Sequence, residues 1–188
     1  MFAKEELEGF RFFDPKRGNE SEITKSAGIY AILLRPGSTL PEIEIGYTPC
    51  IVEYKGDKYE LIYVGISNKS LYKRDYLTHF QGNNAGRSTL RKSIGSLMGL
   101  EKTYRSEVEK DKGKPKIKFI DSDEEKLSEW MKENLLLLYK ADEKCEEKEK
   151  EMIMVLNPPL NISKNTNNVN NDYRNKLKSL RTDRSDLK

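Results

Sequence analysis

Two short apolar stretches, Ala27 to Leu34 and Tyr59 to Ile66, constrain this chain more than any other feature. Each is rich in β-branched and aromatic residues and has the length of a buried strand; the first is ended by Pro36-Gly37 and the second is entered through the turn Lys55-Gly56-Asp57. Between them lie two alternating pieces, Ile43-Glu44-Ile45 and Ile51-Val52-Glu53-Tyr54, which read as the remainder of an antiparallel meander. If the two strong strands pair antiparallel, Tyr30 on one and Tyr63 on the other can project from the same face, because side chains alternate along each strand.

Beyond Ser70 the period lengthens. Leu71, Arg74, Leu77 and Thr78 are spaced for a helix ending near Gly82. After the loop Gly82 to Gly86, Ser88 or Thr89 can cap a second helix, whose apolar stripe is Leu90, Ile94, Leu97 and Met98 with Arg91 and Lys92 outside it. A lysine-rich loop (Lys110 to Lys116) precedes a short strand at Ile117 to Ile120. Asp121-Ser122-Asp123 can cap a helix through Leu127, Trp130 and Met131, and Leu135 to Tyr139 reads as a third core strand. Asp142 to Leu156 reads as a helix stopped by Pro158-Pro159, neither of which can donate the next backbone hydrogen bond. The expected class is α+β: a small three-stranded antiparallel sheet flanked by helices, with a β meander inserted between the first two core strands. The division expected is an N-terminal arm (1–26), a core domain (27–162) and a basic C-terminal tail (163–188). From Asn165 onward the tail reads equally as a DNA-binding arm or as disordered chain, and its basic part, Arg174 to Arg184, also as a loosely docked helix.

Net charge is +3, which means little until it is divided along the chain. Residues 66–118 carry 13 basic and 5 acidic side chains, and residues 152–188 carry 7 and 3, whereas residues 119–151 carry 6 and 12. A basic block of that size is the footprint of a phosphate-backbone binder, although a solvated lysine-rich surface has the same signature. No apolar run approaches a bilayer span, and Met1 to Glu6 lack the basic start and apolar stretch of a signal peptide. Cys50 and Cys145 lie far apart without metal-ligand spacing. A soluble, cytoplasmic protein with reduced thiols is the expectation, with oligomeric state left open.

Phosphodiester hydrolysis needs a base, a cationic group for the transition state and usually a divalent metal on a carboxylate. Candidates for each role stand in order along the chain. Gly28-Ile29-Tyr30 is followed about thirty residues later by Tyr63-Val64-Gly65 and then by Leu71-Tyr72-Lys73-Arg74. Glu149 precedes Met152-Ile153, and Asn161 ends Leu156-Asn157-Pro158-Pro159-Leu160-Asn161. In this order and spacing the chain resembles the GIY-YIG nuclease superfamily from about Ala27 to Ile162, with Arg87 to Lys92 also similar to family sequence.

The resemblance implies a metal-dependent DNA endonuclease of repair, restriction or defence. Its alternative is a catalytically inactive nucleic-acid-binding module of the same fold. It further implies that Glu149 holds one Mg²⁺ or Mn²⁺, that Arg74 braces the scissile phosphate, and that Tyr30, in preference to Tyr63, activates water. Tyr63 would orient phosphate or water, and Asn161 would fix the glutamate or a nearby backbone group. Arg87, Arg91 and Lys92 are candidate phosphate contacts. The only histidine, His79, stands five residues after Arg74, where members of the family often have a histidine four residues on; here Thr78 occupies that place. On an ideal α-helix this turns His79 away from Arg74. Either Arg74 precedes the regular helix, or a bulge realigns His79, or His79 merely closes the helix.

Overall fold

The computed structural model describes residues 7–81, 84–113, 115–185 and 187; of Asp75 only the backbone is described. The acidic start Met1 to Glu6, the loop residues Gly82 and Asn83, Lys114 of the lysine-rich loop, and Asp186 and Lys188 of the tail lie outside the described residues.

Five antiparallel strands form the central sheet in the order β1-β7-β2-β4-β3: β1 Arg11–Phe13, β2 Gly28–Leu34, β3 Ile51–Tyr54, β4 Asp57–Ser67 and β7 Leu135–Ala141. The three strands expected as the core are β7, β2 and β4, so the expected count of three is corrected to five. One added strand, β1, comes from the N-terminal arm and pairs with β7. The other, β3, comes from the inserted meander and pairs with β4 across the Lys55-Gly56 turn, where both residues take positive φ. The arm is tied further by Arg35, which donates to both carboxylate oxygens of Asp14 at 2.7 and 2.9 Å. Ile43-Glu44-Ile45 forms no strand. That segment runs instead toward the C-terminal region, where Tyr47 packs on the Tyr173 ring at 4.8 Å and Thr48 bonds Asn170.

Both faces of the sheet are covered, which is why β2 is buried along its whole length. One face carries Tyr30, Ile32, Leu34, Leu135 and Leu137. It packs against a helix at Tyr72–Phe80, against α1 (Thr89–Leu97) and α2 (Asp121–Asn134), and against Tyr173 and Leu177 of α4 (Asn171–Thr182). The opposite face carries Ile29, Ala31, Leu33, Leu136 and Leu138 under Cys145, Met152, Ile153 and Leu156 of α3 (Cys145–Leu156). A small hairpin of β5 (Lys102–Tyr104) and β6 (Ile117–Phe119) lies between α1 and α2 in sequence.

Helix α3 begins at Cys145 rather than at Asp142, because the Asp142 carboxylate accepts from the Lys144 amide at 2.8 Å and closes a turn of its own. It ends as expected, with Asn157 in the left-handed conformation (φ 48°) just before the two prolines. Cys50 and Cys145 are both buried free thiols. Among the described residues no helix is long and apolar enough to cross a membrane.

Candidate active site

The two tyrosines do share a face. Register pairs Tyr30 with Gly65 and Ile32 with Tyr63, after which a bulge shifts the ladder between Ile32 and Leu33. The Tyr30 and Tyr63 rings lie 6.1 Å apart. This packing accounts for both motif glycines by close approach. A Cβ at Gly65 would fall 2.4 Å from the Tyr30 hydroxyl, and one at Gly28 would fall 2.2 Å from the Lys140 carbonyl of the neighbouring strand.

The helix that carries Arg74 is a π-helix spanning Tyr72–Phe80, closed by the Gln81 amide donating to the Tyr76 carbonyl five residues back. Its i→i+5 winding turns each residue through a smaller angle than an α-helix does, which brings His79 back toward the side of Arg74. The winding also turns Leu77, expected among the inward positions, out to solvent, while Tyr76 and Phe80 fill the core. His79 is fully buried. Its Nε2 lies 2.7 Å from the Tyr30 hydroxyl and its Nδ1 lies 2.7 Å from Ser88 Oγ. Ser88 is the N-cap of α1, and its Oγ also accepts from the Arg91 amide at 3.0 Å. Burial, then the charges of Arg74 and Arg91, hold the imidazole well below its usual pKa of 6.5, so it is neutral at physiological pH.

Tyr63 is the point on which the remaining groups converge. Burial pushes its hydroxyl pKa up, Arg74 pulls it down, Glu149 pushes it up, and Arg181 and a hydrogen bond with Tyr30 pull it down. Arg74 is half-buried and donates through Nη1 to the Arg87 carbonyl at 3.1 Å. Glu149 is buried on α3, and its Oε2 accepts from Lys164 Nζ at 2.6 Å, a lysine whose side chain is otherwise half-exposed. Asn161 binds β4 rather than the glutamate: its Oδ1 accepts from the Val64 amide at 2.9 Å and its Nδ2 donates to the Val64 carbonyl at 2.8 Å. Together with the Leu160 amide on the Ile62 carbonyl, it continues the sheet edge beyond the reach of β3 and holds the backbone on either side of Tyr63.

The three expected phosphate contacts separate. Arg87 is exposed and Lys92 half-buried at a cleft. Arg91 is corrected: its side chain has no exposure and cannot meet a phosphate. Its Nη2 donates to Glu124 Oε2 at 2.7 Å and to the Glu124 carbonyl, and its Nη1 donates to the His79 carbonyl at 2.9 Å. Glu124 in turn accepts from the Ala85 and Phe119 amides. The physical reason is that both α4 and α2 pack against α1, so a position outside its apolar stripe still lies inside the protein.

Arg181 was not among the sequence candidates. Its sequence signal was the basic run Arg174 to Arg184, read as a loosely docked helix without any indication of which face of the core it meets.

Among the described residues no group of three or more His, Cys, Asp or Glu side chains could hold a metal. Glu149 would be the protein's contribution to a donor set completed by water and substrate. That fits Mg²⁺, which keeps several waters and needs one or two carboxylates, and it does not fit a structural zinc site.

The model of the GIY-YIG catalytic domain family matches residues 28–183. The chain belongs to the GIY-YIG family, a nuclease family, and the match runs past Ile162 to take in α4. Neither the curated proteins nor the solved structures yielded a significant match.

Proposed function

We propose that the protein is a divalent-metal-dependent endonuclease that hydrolyses phosphodiester bonds in DNA. The observation that carries this reading is the convergence on Tyr63 of Arg74, Tyr30 and Glu149, with Tyr30 hydrogen-bonded to a neutral, buried His79. Because imidazolium is disfavoured there, His79 is assigned the tautomer that donates from Nε2 to the Tyr30 oxygen and accepts at Nδ1 from Ser88. That donation leaves the Tyr30 hydroxyl to donate to Tyr63, and the linked pair orients and polarises the attacking water, whose proton passes to solvent. Arg74 presents its planar fork to the phosphoryl oxygens, and Tyr63 orients the phosphate. Asn161 keeps the strand under Tyr63 in place. Glu149 is the ligand for Mg²⁺ or Mn²⁺, reached by displacing the ammonium of Lys164. When bound, the ion supplies positive charge to the transition state and to the leaving oxygen.

The test is nicking of supercoiled plasmid by wild type and by Glu149→Ala, each with and without Mg²⁺. Cleavage that needs metal and disappears in the variant supports the reading; cleavage retained by Glu149→Ala refutes the role of Glu149. If the wild type binds DNA but cuts no plasmid, single-stranded or branched substrate, the fold serves as a binding module instead.

A further inference from the structure

Between α1, β6 and α4 lies an open cleft of about 320 Å³ with cationic side chains on its walls: Lys92 from α1, Lys116 before β6, Lys178 and Arg181 from α4, and Arg184 just beyond it. Among the described residues no carboxylate lines it and none of these five makes an ion pair. The nearest acid in sequence, Asp183, turns its side chain to the Ser185 amide and hydroxyl. Elsewhere on the surface Lys110, Lys112, Lys118 and Lys126 each have a carboxylate three residues away. Gathering like charges in a half-enclosed cleft is opposed by their mutual repulsion, which a row of phosphates reverses. Lys92 carries the sign of that crowding, since burial and then Arg181, Arg105 and Arg184 push its pKa down. Arg181 ties the cleft to the candidate active site, because its charge acts on Tyr63 as well as on Lys92.

We propose that this cleft is a phosphate track that holds the DNA strand leading away from the scissile bond, with Arg181 at the junction between track and active site. The inference rests on the nuclease reading for its direction, but its test does not need turnover. Lys178 and Arg184 are exposed, so both can be changed without disturbing the core.

Binding of a 5′-fluorescein-labelled duplex oligonucleotide is measured by anisotropy in EDTA across a salt series. The proteins compared are wild type, Lys178→Gln/Arg184→Gln, and a control, Lys55→Gln/Lys58→Gln, which removes the same charge from the exposed β3–β4 hairpin. The cleft variant is expected to bind roughly tenfold more weakly near 0.1 M salt, with a log–log salt slope shallower by about 2, while the control stays within about twofold of wild type. Equal losses in the two variants, or none in the cleft variant, overturn the track. Wild type that cuts plasmid while the cleft variant binds like the control leaves the nuclease reading standing without the track. Wild type that cuts nothing but binds through the cleft leaves the track standing without the nuclease.

Discussion

Gly65 shows how closely single residues are specified at this site. The Tyr30 ring lies across it, so any Cβ there meets the Tyr30 hydroxyl at 2.4 Å and must push it off His79. Gly65→Ala is expected to cost about 1–3 kcal/mol in urea unfolding and to lower cleavage as strongly as a change at Tyr30 itself. Tyr30→Phe keeps the packing and removes the oxygen, so cleavage should fall by about 10²–10⁴ with little change in DNA affinity measured in EDTA. His79 contributes a separate, pH-dependent signature. Its pKa is depressed in the folded protein, so the unfolded chain binds a proton that the folded one refuses. Stability from this group is complete above the unfolded value of about 6.5 and declines as pH falls below it, by up to about 1.4 kcal/mol per pH unit. Urea titrations from pH 7 to pH 5 should show that decline in wild type and a flatter profile in His79→Gln.

At the scale of elements, the π-helix does what an α-helix of the same sequence could not. Arg74 and His79 are five residues apart, and the wider winding brings both near the tyrosines. Deleting the intervening Thr78 would restore a four-residue spacing and favour α-helical winding, but it would also shift every later contact of the segment. Asn161 is the cleaner probe of element-level support. It does for β4 what the next strand would do, by pairing both backbone groups of Val64. Asn161→Ala leaves the buried Val64 amide and carbonyl without partners at a cost of about 1–3 kcal/mol. Calorimetry should therefore show a lowered Tm, and kcat should fall through displacement of Tyr63.

At the scale of the whole molecule, the helices between β4 and β7 are joined by a buried ion pair. Arg91 and Glu124 join α1 to α2, and through the His79 carbonyl and the Ala85 amide they bind the π-helix and its following loop to both. Replacing either partner alone strands a buried charge, so Glu124→Ala or Arg91→Ala should lose about 3–5 kcal/mol in denaturant titration. The C-terminal segment is equally structural. Tyr173 and Leu177 of α4 are buried in the main core, and Arg174 bonds Asn157 at 2.8 Å. Truncation after Ile162 should give a chain that fails to fold cooperatively, read as loss of a sharp thermal transition.

Strand positions and several helix limits were legible in the sequence, because apolar alternation, a serine N-cap and a double proline act locally. Tyr30, Tyr63, Arg74, Glu149 and Asn161 stand as candidates through their order along the chain. Tertiary packing decided the rest. It recruited two further strands to the sheet, since backbone groups on an edge pair with whatever segment reaches them. It buried Arg91 on a helix covered from two sides, which a one-faced periodicity does not encode. It brought the charge of Arg181 within reach of Tyr63, which the basic run of the tail did not locate. It also set the winding that aims His79 at Tyr30, because local spacing states where a residue stands on an ideal helix and only packing against the sheet states how far that helix departs from ideal.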